Sequence, residues 1–150
     1  MAAAITLHLL AAVFWVGSMF FAHVVVRPSS QDLELTLRVK LWTQILGRFF
    51  VVVWCVAILL PASGYWMVVS YFGGFTDLAL HVIIMQGLGW TMIVIFVSVF
   101  FSPYQHLKRM IRQELFPEAG MYILRIRKFM LVNLILGIMV VLTAVSGRFL

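Results

Sequence analysis

Four stretches of the chain are apolar for long enough to matter, with short polar or basic segments between them: residues 2–26, 45–69, 78–101 and 129–145. A helix needs about 20 mainly apolar residues to cross the hydrocarbon core of a bilayer. No other run in the chain approaches that length. Arg27-Pro28 closes the first run, Ser102-Pro103 the third and Gly147-Arg148 the fourth, which are helix-stop signals. Leu33, Leu37, Leu41 and Ile45 recur four residues apart, so the second helix starts well before its apolar run. Ser29, Ser30 or Asp32 can cap it. Pro61, followed by Gly64, predicts a kink or an end near the outer face. The basic stretch 104–128, interrupted by Pro117 and Gly120, is expected to lie along the membrane interface. Adding flanking turns gives helices at about 2–27, 33–70, 77–102 and 122–147. The predicted fold class is all-α: a single four-helix transmembrane bundle over residues 1–150. The first run has no basic leader and no small-residue cleavage site, so it reads as a retained helix rather than a signal peptide.

Composition agrees and excludes much else. Hydrophobic residues make up 64% of the chain and charged residues 11%, against roughly 45–50% and about 25% in soluble domains. Too few charges remain to cover a water-facing exterior, which excludes a soluble enzyme, a nucleic-acid-binding module and a secreted disulfide scaffold. The net charge is +6, and its placement carries the information. Arg27, Arg38, Lys40 and Arg48 follow the first run. Lys108, Arg109, Arg112, Arg125, Arg127 and Lys128 follow the third. The segment 73–77 after the second run has no Lys or Arg, and only Arg148 lies beyond the fourth. Basic residues mark cytoplasmic loops, so both termini are expected on the outer, periplasmic side of a bacterial inner membrane. The single cysteine, Cys55, permits neither an internal disulfide nor a CxxC site and is expected to be a small buried side chain.

All five carboxylates, Asp32, Glu34, Asp77, Glu114 and Glu118, lie outside the spans. An ion pump built on intramembrane acids is therefore not expected. What remains is histidine, and a titratable side chain within a span is a functional candidate by default. The first and third helices run in the same direction, so His8 and His81 form an outer pair by depth, and His23 and His106 an inner pair. His8 and His23, 15 residues apart, fall within about 60° of each other on an ideal helix. Two imidazoles facing across a helix bundle suit haem b as axial ligands. His8 and His81 are the first candidates; His23 and His106 are weaker ones for a second haem. Trp15, Trp54, Trp66 and Trp90 are available to stack on a porphyrin, and interfacial Arg or Lys to pair with its propionates. Copper is the alternative, since Met85 lies one turn after His81 and Met67 near the outer end of the second helix, and thioether with imidazole suits Cu(I). The plain alternative is that these histidines only hydrogen-bond and pack, in a cofactor-free accessory subunit. Gln86, Thr91, Ser98 and Asn133 can bridge helices, and Gly17, Gly87, Gly89 and Gly137 can admit close backbones.

The segment from His8 through Trp15 and Gly17 (HLLAAVFWVGSMF) resembles the first-helix signature of the CopD-like membrane proteins, which are similar to the HemJ-type protoporphyrinogen oxidases. The run from Arg125 through Asn133-Leu-Ile-Leu-Gly137 to Gly147-Arg148 is similar to the end of that pattern. The resemblance implies a four-helix bundle with His8 at a cofactor site, haem b in HemJ-like proteins or copper uptake in CopD-like ones. HemJ-like and many CopD-like proteins carry a Lys a few residues into the third helix, where this chain has His81 and Gln86. That difference points away from protoporphyrinogen oxidation and toward a second imidazole ligand. The expected function is electron transfer by haem b, to or from a quinone or a redox partner protein. The bilayer is the expected surroundings and nucleic acid is not an expected partner. Assembly into an oligomer or a larger complex is left open.

Overall fold

A computed structural model describes residues 2–71, 73–75 and 78–147. Among them every regular element is helical. Helix α1 covers Ala2–Phe21 and continues through a π-helical turn, Ala22–Val26, into a last turn at Arg27–Ser29. Helix α2 is Leu35–Tyr71, α3 is Leu80–Phe101, α4 is Pro103–Arg112 and α5 is Phe116–Ser146. Four of these segments, with α3 and α4 counted as one, are long and apolar enough to cross a membrane. The chain is an all-helical, multi-pass membrane protein.

Several boundaries differ from expectation, each for a local reason. Pro61 does not end α2, which stays helical to Tyr71. A proline costs the helix one donor, to the carbonyl of Ala57, but within a bundle neighbouring groups hold the backbone helical past it. Pro103 does redirect the third span: Ser102, at φ −113° and ψ −87°, leaves the helical region, and α4 starts afresh with proline in its first turn. The expected interfacial stretch 104–128 is two helices rather than one surface segment. Glu114, at φ +58°, reverses the chain after α4, and α5 begins at Phe116 rather than near residue 122. Pro117 sits in the first turn of α5, where its missing N–H is not needed. Ser30 does not have the open role of a cap. It is buried, donates to the carbonyl of Arg27 at 3.0 Å and accepts from Trp42 Nε1 at 3.0 Å, tying the end of α1 to α2.

The helices pack as two pairs, α1 on α2 and α3 on α5, and α5 also touches α1 and α2. Between α2 and α3 the filling is aromatic. Trp54 meets Phe96 at 5.0 Å and Phe100 at 5.4 Å, and Phe50 meets Phe100 at 5.5 Å and Tyr104 at 4.5 Å. Trp15 reaches Phe96 edge-on across the bundle at 6.3 Å. Edge-to-face pairs of this kind add about 0.5–1.5 kcal/mol each beyond area burial. Of Gly17, Gly87, Gly89 and Gly137, Gly137 permits a close approach: a Cβ there would meet Val16 Cγ2 at 2.8 Å and Met92 Cε at 3.3 Å. Gly17, Gly87 and Gly89 have nothing within 4 Å and face outward. Cys55 is exposed on α2 rather than buried, because Val53, Val56 and Ala57 take the inward face at that level.

The basic residues gather at one end. Lys40 lies over Phe116 at 5.6 Å, Lys108 over Tyr104 at 5.2 Å and Arg127 over Trp42 at 5.3 Å. The ends of α1 and α3 and the starts of α2 and α5 therefore meet there. Thr76 and Asp77, expected to start the third helix, and Arg148 lie outside the described residues.

Candidate functional site

His8 lies half-buried on the face of α1 turned toward α2. Its Nδ1 is 2.9 Å from Ser63 Oγ. Ser63 itself is buried and donates its hydroxyl proton to the carbonyl of Leu59 at 2.6 Å. With that proton committed, Ser63 Oγ faces His8 as an acceptor, so Nδ1 carries the imidazole proton and Nε2 is the bare nitrogen. Gly64 lies beside the ring: a Cβ there would stand in van der Waals contact, 3.4 Å from His8 Cε1. Sequence reasoning saw Gly64 only as a helix-weakening neighbour of Pro61 and missed Ser63 altogether. The available signal was a small hydroxyl residue beside a glycine in an otherwise bulky apolar span.

His81 is placed elsewhere. It is in the first turn of α3, half-buried, and its ring lies against Gly147 at the end of α5, where any Cβ would overlap it. The two outer histidines share no hydrogen bond among the described residues. Their depths can be compared through residues that touch across the bundle. Trp15 meets Phe96; counting outward at about 1.5 Å per residue, His8 lies about 10 Å above Trp15 and His81 about 22 Å above Phe96. Val16 and Met92 meet at Gly137; from there the rises are about 12 and about 16 Å. His81 thus stands between about 4 and about 12 Å farther out than His8, and the expected shared depth is not kept. The reason is the register of α1 against α3: Trp15 and Val16 sit level with Phe96 and Met92, so more of α3 than of α1 lies above that level.

The inner pair is also separate. His23 falls in the π-helical turn, so the regular 100° step that would align it with His8 does not hold there. Its Nε2 lies 3.4 Å from Arg27 Nη1. His106 is exposed, with Nδ1 on the carbonyl of Ser102 at 2.8 Å and its ring stacked on Tyr122 at 5.4 Å. Met85 is half-buried one turn after His81. Trp15, expected to stack on a cofactor, is 2% exposed and belongs to the core. Trp90 donates to Tyr65 Oη at 2.7 Å, and Trp66 faces outward. Among the described residues no group of three or more His, Cys, Asp or Glu is gathered.

Of Gln86, Thr91, Ser98 and Asn133, Asn133 has an interhelical hydrogen bond among the described residues. Asn133 Nδ2 donates to the carbonyl of Met92 at 3.1 Å, linking α5 to α3, while its Oδ1 is buried without a partner. That residue and Trp15 border a cavity of about 10 Å³. Thr91 and Ser98 bond back to their own helix, to the carbonyls of Gly87 and Val94.

No family model, curated protein or solved structure matches this chain.

Proposed function

We propose that the chain is an electron-transfer protein of the bacterial inner membrane, with haem b held at the outer half of the bundle and His8 as an axial ligand. The observation that supports this is the hydrogen-bond chain His8–Ser63–Leu59, which orients the ring and leaves Nε2 bare. Histidine ligands to metals characteristically donate their other ring N–H to a fixed acceptor, which sets the tautomer. When bound, the haem would supply one-electron redox chemistry. The residues around His8 would orient the imidazole and keep water from it. His81 is the second residue that would hold the group, and in the fold it lies farther out than His8, with its ring against Gly147. The resemblance of the first helix to CopD-like and HemJ-like proteins agrees with a cofactor at His8. The ten basic residues at one end favour an outward placement of both termini, which puts His8 near the periplasmic face.

The test is an absorption spectrum of the protein purified in mild detergent. The expected result is a Soret band, with sharp α and β bands on dithionite reduction. His8→Ala should abolish the bands in a protein that remains helical, and His81→Ala should convert the low-spin spectrum to a high-spin one. A colourless protein carrying stoichiometric copper would replace this reading with copper binding through His8, His81 and Met85. A protein with neither chromophore nor metal would leave the accessory-subunit reading.

A further inference from the structure

The end of the bundle opposite His8 and His81 carries a cluster that the proposed haem site does not use. Arg27 and His23 come from α1, Arg38 from α2 and Arg127 from α5. Arg27 Nη1 is 3.4 Å from His23 Nε2. Arg127 lies over the ring of Trp42, 5.3 Å from its centroid, and its Nε is buried with no hydrogen-bond partner. Trp42, under Arg127, donates to Ser30, which donates to the carbonyl of Arg27, and Arg38 stands one turn before Trp42 on α2. Arg38 gives one nitrogen to the carbonyl of Gln31 at 3.2 Å. Three guanidinium groups thus converge from three helices, and no Lys or Arg pairs with an Asp or Glu among the described residues. Like charges brought together at a membrane boundary repel unless an anion joins them, and forked guanidinium donors suit phosphate oxygens in particular.

A second feature adjoins the cluster. A groove of about 340 Å³ runs between α1 and α2, walled by Ala22, Val26, Ile45, Phe49 and Val52, with Arg48 at its border. On α1 the wall ends at Val26, one residue before Arg27, and on α2 it begins at Ile45, one turn after Trp42, so the groove starts at the level where the cluster ends. The π-helical turn Ala22–Val26 forms one side of it. A π turn carries an extra residue per turn and displaces the backbone from regular packing, often where something else binds. An apolar slot opening onto a cluster of arginines matches an amphiphile with an anionic head and a hydrocarbon tail.

We infer that this end of the bundle is a binding site for one anionic phospholipid, its phosphate held by Arg27, Arg38 and Arg127 and an acyl chain lying in the groove between α1 and α2. Basic pockets between transmembrane helices on the cytoplasmic side are a known chemistry for lipid head groups. Occupancy would neutralise the cluster and fix the junction of α1 and α2, where Ser30 and Trp42 already join them.

The experiment is native mass spectrometry of the detergent-purified full chain after exchange into phosphatidylcholine alone, or into phosphatidylcholine with a minor fraction of phosphatidylglycerol. Retention of one phosphatidylglycerol per chain is expected. Arg127→Gln should weaken retention about fivefold, as should Arg27→Gln, at about 1 kcal/mol per interfacial arginine. Val52→Trp should weaken it without altering any charge, because it fills the groove from an exposed position that no core contact depends on. Equal retention of phosphatidylcholine would overturn the proposal, as would arginine variants that retain lipid like the wild type. Unchanged retention in Val52→Trp would remove the groove from the site. Inorganic phosphate binding as tightly as phosphatidylglycerol would make this a free-anion site and sink the lipid assignment.

Discussion

Ser63 has one hydroxyl proton and directs it to the carbonyl of Leu59, so what it offers His8 is a lone pair. The ring state at position 8 is therefore set by a residue 55 positions away. In a haem-loaded protein, Ser63→Ala is expected to retain the pigment but to shift its reduction potential upward, because losing the acceptor makes the imidazole a weaker electron donor; redox titration checks the sign. Gly137 is a second residue whose importance is geometric. Its missing Cβ is what lets Val16 and Met92 close on α5, and Val16 is β-branched and stiff. Gly137→Ala should destabilise by about 1–3 kcal/mol, seen as a lower thermal midpoint in detergent. Gly17→Ala, where nothing lies within 4 Å, should leave the midpoint unchanged. Asn133 invites the opposite expectation. Its interhelical bond to Met92 is worth roughly 0.6 kcal/mol in a membrane bundle, whereas an unpartnered buried carbonyl costs about 1–3 kcal/mol. The adjoining cavity, about 10 Å³, is at the lower limit for a single water. Asn133→Leu should accordingly keep or raise the midpoint, and a clear fall would show that a water does satisfy Oδ1.

At the level of whole elements, the second helix combines features that pull in different directions. It is 37 residues long and continues through Pro61 for another ten residues to Tyr71. At about 1.5 Å per residue it is roughly 55 Å long, well beyond a hydrocarbon core of about 30 Å. Its basic first turns project past the membrane and pack on α5 through Lys40 and Phe116. Pro61 lies two residues before the serine that holds His8. Replacing it by alanine restores a donor to the carbonyl of Ala57 and removes a steric clash. Pro61→Ala is expected to raise the thermal midpoint. By moving Ser63 relative to His8, it should also shift the reduction potential of a haem-loaded protein upward, in the same direction as Ser63→Ala. A variant stabilised with an unchanged potential would show that the proline does not position Ser63.

For the molecule as a whole, the charge distribution is the dominant asymmetry. Arg27, the first turns of α2, α4 and the start of α5 collect ten basic residues at one end. Moving such a cluster across a bilayer is strongly disfavoured during insertion. Reporter fusions at the C-terminus should therefore be active only when the reporter works outside the cytoplasm. A reporter inserted after Gln113, in the turn between α4 and α5, should give the opposite result. The reverse pattern would overturn the orientation and, with it, the periplasmic position of His8.

The number of spans, their helical character and the grouping of basic residues were legible in the residues alone. They follow from run length and from counting charges, which do not depend on how the helices meet. Arg27-Pro28 and Ser102-Pro103 marked real ends or bends because proline acts on its own backbone. What residues far apart do to one another was not legible. The π turn upset the phase that aligned His23 with His8. The register of α1 against α3 left His81 farther out than His8, with its ring against Gly147. Pairing of α1 with α2, rather than with α3, brought Ser63 to His8. Periodicity along one helix says which residues share a face. Only the packing of helix on helix decides what that face meets, and at what depth.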